Sequence, residues 1–332
     1  MPTTNRVIVG DGRFRYQALP KWEQLPAGWS FVEVVAVATD SQDRVYVYNR
    51  GEHPVIVFDK DGKFLKSWGE RDFVRPHGIH IGPDDSVWCS DDRDHTVRKF
   101  TLDGKLLLTL GTRGQGSETG VVNGDYRTIK RAGPPFNLPT DLAIAPGGDL
   151  FISDGYGNAR VHKFSADGKL LLSWGEPGNG PGQFHLPHGI ALDSKGVVYV
   201  ADRENDRVQL FDSVGKFLTQ WTHVNRPAEV FIDRQDNIFV AEMGWRAGLF
   251  SGVQPREQAP GGSVCVLNRE GKLLARWGGG PDPCAVGDFF APHDVWRDSK
   301  GAIYVGEVVM SAGGNRGLVS PTCHSLQKFV PI

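Results

Sequence analysis

The chain has 332 residues, of which 42 are glycine and 21 are proline. Both residues are unfavourable in helix interiors, so the composition argues against long helices and helical bundles. Hydrophobic residues make up 39% and charged residues 23%, a balance that can bury a sizeable core and is not typical of a disordered chain. The net charge of −2 provides no general basic surface for nucleic acid. No apolar stretch reaches the ~18 residues that span a bilayer, so we expect neither nucleic acid nor a membrane as partner.

The first residues and the cysteines bear on the compartment. Residues 1–11 contain one run of three apolar residues, so we expect no secretory segment and a cytoplasmic protein. The four cysteines lie far apart and form no Cys-x-x-Cys pair: Cys89, Cys265, Cys284 and Cys323. In a reducing compartment such cysteines are expected to stay reduced and to have no role of their own.

An internal repeat dominates the chain. Closely similar segments occur at 45–69, 150–175 and 198–221. In each, short runs of Val, Ile, Phe and Tyr lead to a Gly-Lys turn and then to a run that ends in Trp. Short apolar runs divided by glycine-containing turns are typical of antiparallel strands, and a repeat period of about 40 residues is typical of propeller blades.

Six repeat units can be aligned on their first strand. The units begin at Val34, Pro76, Pro139, Pro187, Pro227 and Pro292. Two of them carry insertions of about 20 residues, at 113–137 and 243–262, which are expected to be loops at a pocket. Units of this length predict an all-β, six-bladed β-propeller that spans residues 1–332 as a single domain.

The two ends of the chain are expected to meet. The last unit ends at Ile332 soon after its third strand, and the segment 13–22 resembles the missing fourth strand. We therefore predict that the N-terminal strand closes the ring, which leaves no open sheet edge.

One repeat position carries histidine in every second unit. The residue after the first position of each unit reads Val35, His77, Thr140, His188, Ala228 and His293. Equivalent positions of the innermost strands face the central channel, so these three imidazoles would converge about 120° apart. A single Pro-His-Gly is usually only a turn with a polar side chain, but packing does not explain histidine at this position in three alternate blades. Three imidazoles with one position left open are typical of a catalytic zinc site.

The next position along the strand carries three carboxylates. It reads Ala36, Gly78, Asp141, Gly189, Glu229 and Asp294. These acids could orient a ligand histidine or hold a hard cation deeper in the channel. Equally, Asp141 and Glu229 could simply accept hydrogen bonds from nearby backbone N–H groups.

The end of each second strand supplies further candidates at the channel mouth. That position reads Arg50, Asp92, Gly155, Arg203, Met243 and Val308. Arg50 and Arg203 lie on opposite sides of the ring and could bind a substrate carboxylate or phosphate; the alternative is a pair of exposed turn arginines paired with Glu52 or Glu204. Tyr156, in Asp-Gly-Tyr-Gly-Asn, is a candidate for catalysis or ligand contact, or is merely exposed.

Longer motifs carry a family resemblance. Pro-Thr-Asp-Leu-Ala at 139–143, Ser-Asp-Gly-Tyr-Gly-Asn-Ala-Arg at 153–160, Leu-Pro-His-Gly-Ile-Ala at 186–191 and Ala-Asp-Arg-Glu-Asn at 201–205 are similar to NHL repeats. From Val34 onward the chain resembles the peptidyl-α-hydroxyglycine α-amidating lyase family. Where that family has disulfide cysteines this chain has Gly157, Tyr199 and Leu210, and where it has a Met before the last histidine this chain has Ala291.

The resemblance implies an activity and a set of roles. It implies that an N-acyl-α-hydroxyglycine, or a related small carboxylate, is cleaved to an amide and glyoxylate. Tyr156 would be the general base, and Arg50 and Arg203 would hold the substrate carboxylate. The catalytic zinc would be bound by His77, His188 and His293. A structural calcium would be bound by Asp294 and by the backbone carbonyls of Val37 and Ile79.

Two other functions fit the same pattern. A metal-dependent hydrolase or hydratase could use the same three-histidine site, since a fold does not fix a reaction class. A non-catalytic propeller could instead bind a protein partner through its rim, although this gives no reason for histidine in alternate blades.

Overall fold

The computed structural model describes residues 6–250 and 260–332, which form β-strands and one short helix. Two strands precede the repeat units, namely β1 (Ile8–Asp11) and β2 (Phe14–Leu19). The first blade contains β3 (Val34–Thr39), β4 (Val45–Asn49), β5 (Val55–Phe58) and β6 (Phe64–Trp68). The second contains β7 (Pro76–Ile81), β8 (Val87–Asp91), β9 (Thr96–Phe100) and β10 (Leu106–Gly111). The third contains β11 (Pro139–Ile144), β12 (Leu150–Asp154), β13 (Arg160–Phe164) and β14 (Leu170–Trp174).

The remaining blades follow the same order. The fourth contains β15 (Pro187–Leu192), β16 (Val198–Asp202), β17 (Arg207–Phe211) and β18 (Phe217–Trp221). The fifth contains β19 (Pro227–Ile232), β20 (Ile238–Glu242), β21 (Ser263–Leu267) and β22 (Leu273–Gly278). The sixth contains β23 (Pro292–Arg297), β24 (Ile303–Glu307) and β25 (Leu326–Pro331). The innermost strands begin at the six residues that the repeat alignment predicts.

The blades form a closed ring. Each sheet is antiparallel, and the innermost strands contact one another in the cyclic order β3, β7, β11, β15, β19, β23 and back to β3. The sixth sheet has the order β1-β2-β25-β24-β23, so β2 pairs with the C-terminal strand. The prediction of an all-β six-bladed propeller closed by the N-terminal strand is confirmed. The strand β1 adds a fifth strand to this sheet that the sequence analysis did not foresee.

Apolar side chains fill the spaces between neighbouring blades. Between the fourth and fifth blades, for example, Tyr199 and Trp221 pack in one buried cluster with Val240 and Cys265. The burial of an apolar side chain of this size contributes roughly 1.5–3 kcal/mol. Since both faces of each sheet are covered in this way, the innermost strands are held at fixed positions around the channel.

Repeated turns also connect the blades. The backbone N–H and hydroxyl of Ser41 donate to Asp85 of the next blade at 3.0 and 2.6 Å. Ser299 makes the same pair of bonds to Asp43, which joins the last blade to the first. These bonds lie at the channel end opposite to Tyr156 and hold the turns between first and second strands in register.

The described residues have little helical structure: one 3-10 turn, Arg203–Asn205, lies between β16 and β17, and the rest lies in the insertions. Residues 113–137 include a 3-10 turn, Tyr126–Thr128, and residues after β24 form the helix α1 (Val309–Ala312) and a further 3-10 turn, Gly314–Arg316. The insertion predicted at 243–262 is described up to Phe250 and again from Pro260, and its central part lies outside the described residues. Within these ranges, no helix is long and apolar enough to cross a membrane.

The expectation of four reduced cysteines is wrong for one pair. Cys284 and Cys323 form a disulfide, with Cα atoms 5.1 Å apart, whereas Cys89 and Cys265 are buried free thiols. The two cysteines are 39 positions apart in sequence, and they meet because both loops return to the rim of the sixth blade. Structural disulfides persist mainly in oxidising compartments. The cysteines therefore no longer support the cytoplasmic prediction, which stays a prediction.

Candidate metal centre

Three imidazoles converge in the channel. His77, His188 and His293 are the second residues of β7, β15 and β23, and each is at most 3% exposed. Their ring centroids lie 4.7 to 4.8 Å apart. Nitrogen atoms from the three rings lie within 4.8 Å of one another, a spacing that one metal ion could bridge. The repeat position thus brings together the three side chains that the sequence analysis proposed as ligands.

The blades without histidine hold these rings in place. The Nδ1 atom of His77 lies 2.8 Å from the carbonyl oxygen of Thr140, and that of His188 lies 2.7 Å from the carbonyl of Ala228. The Nδ1 atom of His293 lies 2.7 Å from the carbonyl of Val35. A carbonyl only accepts, so each Nδ1 carries the proton and each Nε2 keeps its lone pair. Even-numbered blades thus supply the imidazole, and odd-numbered blades supply the carbonyl at the same repeat position.

The surroundings keep the three imidazoles neutral. Burial lowers the pKa of each far below the ordinary value. Positive neighbours add to this effect, chiefly Arg203 beside His188 and Arg50 beside His293. A metal ligand must be the neutral imidazole, so the site is competent to bind a cation at neutral pH.

Tyr156 reaches this cluster from the third blade. Its hydroxyl oxygen lies 3.2 Å from Nε2 of His77, 3.1 Å from Nε2 of His188 and 3.3 Å from Nη1 of Arg203. The Nε2 atom of His293 is buried and has no hydrogen-bond partner among the described residues. Tyr156 is therefore at the centre of the site and is not merely exposed.

The glycine before Tyr156 allows this approach. A Cβ atom at Gly155 would lie 2.0 Å from the carbonyl oxygen of Pro187 in the next blade. Real side chains cannot come so close to backbone, so the turn requires glycine there. Gly155 thus lets the turn that carries Tyr156 pack directly against the fourth blade, next to His188.

Arg203 is buried beside the cluster, and Arg50 is largely covered there. The Nε atom of Arg203 donates to Glu204 at 2.8 Å, and its guanidinium carbon lies 5.4 Å from the ring centre of Tyr156. The Nη1 atom of Arg50 donates to Glu33 at 2.8 Å. The partner of Arg50 is therefore Glu33 and not Glu52. Arg203 is only 5% exposed and the Arg50 side chain 10%, so neither is an exposed turn arginine, although Arg203 does pair with Glu204 as that alternative expected.

Further charged residues at the mouth were missed. Arg75 forms an ion pair with Asp92, and its guanidinium carbon lies 5.7 Å from the ring centre of Tyr156. Arg226 donates to Glu204 at 2.7 Å. The repeat alignment could have found them, because they share one repeat position, the residue immediately before each unit. That position reads Glu33, Arg75, Leu138, Leu186, Arg226 and Ala291.

The three carboxylates form a second layer of the channel. The Oδ2 atom of Asp294 accepts the N–H of Val37 at 2.5 Å, Oδ2 of Asp141 accepts that of Ile190 at 3.2 Å, and Glu229 hydrogen-bonds to Asp141. They line a cavity of about 100 Å³ together with Ile79 and other residues. Burial raises the pKa of Asp141 to about 7.

The same environment affects the other two acids of this layer. Burial, and then the neighbouring carboxylates, raise the pKa of Glu229 and of Asp294 well above the ordinary range. The acids accept backbone N–H groups, as one of the two interpretations expected. They do not orient the imidazoles, whose Nδ1 atoms bond to backbone carbonyls. Calcium binding at Asp294, Val37 and Ile79 stays a prediction.

The chain is similar to proteins of known families. The NHL repeat model matches residues 136–164 and 184–211, which include Tyr156, His188 and Arg203. NHL repeat-containing protein 3 of Homo sapiens is 36% identical over 339 residues, which cover 94% of this chain and 82% of that protein. Peptidyl-alpha-hydroxyglycine alpha-amidating lyase 1 of Drosophila melanogaster is 37% identical over 176 residues, or 48% of this chain and 29% of that protein.

The similarity of fold extends further. The structure of a gluconolactonase from Xanthomonas campestris matches with a TM-score of 0.59 and 13% identity, over 96% of this chain and 90% of that chain. At such low identity the match shows the fold alone. Fold and site together define an NHL-repeat propeller with a buried three-histidine centre. Sequence identity over most of both chains is more specific, and the chain belongs to the family of NHL repeat-containing protein 3.

Proposed function

We propose that the protein is a metal-dependent lyase that cleaves an N-acyl-α-hydroxyglycine, or a closely related small carboxylate, to an amide and glyoxylate. The observation that carries this proposal is the contact of the Tyr156 hydroxyl with two of the three neutral imidazoles and with Arg203. The identity to a protein named an amidating lyase supports the same reaction class.

The metal would be bound by the Nε2 atoms of His77, His188 and His293. Three neutral nitrogen donors with room for one more ligand suit zinc, so zinc is the proposed ion. When bound, it would supply Lewis-acid polarisation of a substrate oxygen. A structural calcium is proposed at Asp294, with the backbone carbonyls of Val37 and Ile79 as the other protein ligands.

The arginines would bind and orient the substrate. The Nη2 atom of Arg50 is buried and has no partner among the described residues, so it is a donor available to an anion. Arg203 lies across the ring with Nη1 next to the Tyr156 hydroxyl. A planar guanidinium can bind a carboxylate through two parallel hydrogen bonds, which fixes the orientation of the hydroxyl-bearing carbon.

Tyr156 would move the proton. In the reaction R-CO-NH-CH(OH)-COO⁻ → R-CO-NH₂ + OHC-COO⁻, Tyr156 would act as the phenolate, whose oxygen accepts the proton of the substrate hydroxyl. The electron pair of that O–H bond forms the C=O bond of glyoxylate as the C–N bond breaks. The departing nitrogen takes this proton from Tyr156 and leaves as the amide, which restores the phenolate. Arg203, 3.3 Å from the phenolic oxygen, would stabilise negative charge there.

The test combines metal analysis with a product assay. Elemental analysis of the purified protein should give about one zinc per chain for this site, and N-benzoyl-α-hydroxyglycine should yield glyoxylate. Tyr156→Phe should keep the zinc and the fold but lower kcat by about 10²–10⁴. Stoichiometric zinc without glyoxylate would contradict the lyase and favour a hydrolase or hydratase. Wild-type protein without bound metal would contradict both enzymes and favour a binding propeller.

A further inference from the structure

Glu33 makes two contacts at the channel mouth that the proposed reaction does not use. It lies immediately before β3 and is 3% exposed. Its Oε1 atom accepts from Nη1 of Arg50 at 2.8 Å, and its Oε2 atom accepts the backbone N–H of Ser311 at 2.8 Å. One buried carboxylate thus joins a substrate-binding candidate to the helix α1.

The first contact sets the direction of Arg50. Its Nε atom donates to the carbonyl of Pro76 at 2.9 Å and its Nη1 atom donates to Glu33. The planar guanidinium is therefore fixed at two of its three nitrogen atoms. The third, Nη2, is the buried donor without a partner in the described part of the chain. Glu33 and Pro76 together leave this one nitrogen available to a ligand.

The second contact fastens the segment 308–323, which we call the rim segment. It contains α1, and its last residue, Cys323, is joined by a disulfide to Cys284 in the loop between β22 and β23. The carbonyl oxygen of Ala312 in α1 accepts the N–H of Phe250 at 2.8 Å. The ring of Phe250 in turn lies 5.7 Å from the guanidinium carbon of Arg203. The rim segment is thus connected to both arginines, to Arg50 through Glu33 and to Arg203 through Phe250.

We propose that Glu33 is a positioning residue that couples the orientation of Arg50 to the docking of the rim segment. The inference rests on the proposed function, since it takes Arg50 as the residue that binds the substrate carboxylate. It extends that function by making substrate binding depend on the rim segment. A carboxylate at Arg50 is then bound best when Ser311 is docked on Glu33, and it stabilises the docked segment in return.

The first test is Glu33→Gln. A glutamine has one acceptor oxygen in place of two and no charge, so it cannot serve both Arg50 and Ser311. We expect KM for N-benzoyl-α-hydroxyglycine to rise about tenfold or more while kcat changes much less, because a charge-assisted hydrogen bond that orients the binding group is lost. Binding of hippurate, which has the carboxylate but lacks the hydroxyl, should weaken by a similar factor in calorimetry. An unchanged KM and hippurate affinity would refute the role of Glu33.

The second test separates the two contacts. Ser311→Pro removes the N–H that Glu33 accepts but leaves Glu33 and Arg50 in the chain, and it breaks no hydrogen bond within α1, because the first four N–H groups of a helix have no partner in the helix. Ser311→Ala is the matched control, because it keeps the N–H and removes only a hydroxyl that makes no hydrogen bond with the described residues. We expect Ser311→Pro, but not Ser311→Ala, to speed hydrogen exchange in residues 309–323 and to weaken hippurate binding. Faster exchange with unchanged hippurate affinity would refute the coupling.

These measurements distinguish this inference from the proposed reaction. Hippurate binding and hydrogen exchange need no turnover. Wild-type protein that binds hippurate but releases no glyoxylate would contradict the lyase and leave the coupling supported. Wild-type protein that binds no hippurate would overturn the coupling whatever its activity. Should Glu33→Gln fail to fold by circular dichroism, the Ser311 pair decides the matter.

Discussion

Two adjacent layers of the channel are built in the same way from the repeat, but one consists of imidazoles and the other of carboxylic acids. The imidazole layer is formed by His77, His188 and His293, and the carboxylate layer by Asp141, Glu229 and Asp294. Each layer takes three side chains from one repeat position, and the two positions are neighbours in sequence. All six residues are largely buried or line the same channel. Burial alone therefore does not explain why one layer offers lone pairs to a ligand while the other binds its own backbone.

The difference lies in what the backbone offers to each layer. The imidazoles meet carbonyl oxygens, which take the Nδ1 proton and leave the Nε2 lone pairs free to converge. The carboxylates meet N–H groups, such as those of Val37 and Ile190, and also meet one another. Burial favours the neutral form in both layers, so it keeps the imidazoles available to a metal and raises the pKa of the carboxyl groups. The two layers thus offer different atoms to a cation, although both are covered by the surrounding blades.

The largest effect is expected from breaking the imidazole layer. His188→Ala removes one of three ligands, and the loss of several kcal/mol of transition-state stabilisation should lower kcat/KM by at least about 10³. Elemental analysis should show zinc below stoichiometric amounts in the same sample.

The matched control is His80→Ala. His80 lines the channel beyond the carboxylate layer, and burial lowers its pKa to about 4, so it is also a neutral imidazole. We expect this variant to keep zinc and turnover. Equal loss of zinc in the two variants would mean that the imidazole layer is not the metal site.

Much of the fold and of this layer could be predicted because both repeat. The periodic spacing fixes six equivalent strands, and histidine at alternate units is visible in the sequence itself. The carbonyl partners could not be predicted, because a backbone atom has no signature in sequence and its position depends on the twist between blades. Glu33 and Arg75 precede the aligned position by one residue, so a search of the neighbouring positions would have found them.

What lies outside the repeat was predicted poorly. The Cys284–Cys323 disulfide joins two loops of the sixth blade, where the repeat gives no alignment. The contact between Glu33 and Ser311 spans 278 residues and depends on ring closure, which brings the first and last blades together. Such contacts follow from tertiary packing of irregular segments, for which no local pattern exists.

A smaller effect is expected from neutralising the carboxylate layer with Glu229→Gln. Glutamine can donate to Asp141, as the protonated acid would, and its oxygen can still accept the N–H of Val230. The pKa values of these acids are higher in the folded protein than in the unfolded chain, so the folded protein binds more protons. The stability of the wild type should therefore fall as the pH rises above about 4, and the contribution of Asp141 should be lost as the pH passes about 7. We expect the variant to be more stable by about 1–3 kcal/mol at pH 8, with a flatter pH dependence in urea unfolding.

The control for that comparison is Glu118→Gln, at a side chain that is 94% exposed. It removes the same charge from the surface, where it should change stability by less than about 0.5 kcal/mol. Parallel stability curves for wild type and Glu229→Gln between pH 5 and 8 would show that Glu229 does not contribute to the pH dependence.

The smallest effect is expected from calcium, which would sharpen the contrast between the layers. If Asp294 binds calcium with the carbonyls of Val37 and Ile79, the cation would compensate the buried negative charge that protons otherwise neutralise. Calcium at ten times its Kd should stabilise the folded protein by about 1.4 kcal/mol and raise Tm by a few degrees. Asp294→Asn should abolish the shift, and magnesium at equal ionic strength should not reproduce it, because magnesium prefers a smaller octahedral site with retained water. A calcium shift of the same size in Asp294→Asn would place the ion elsewhere and leave the carboxylate layer to be neutralised by protons alone.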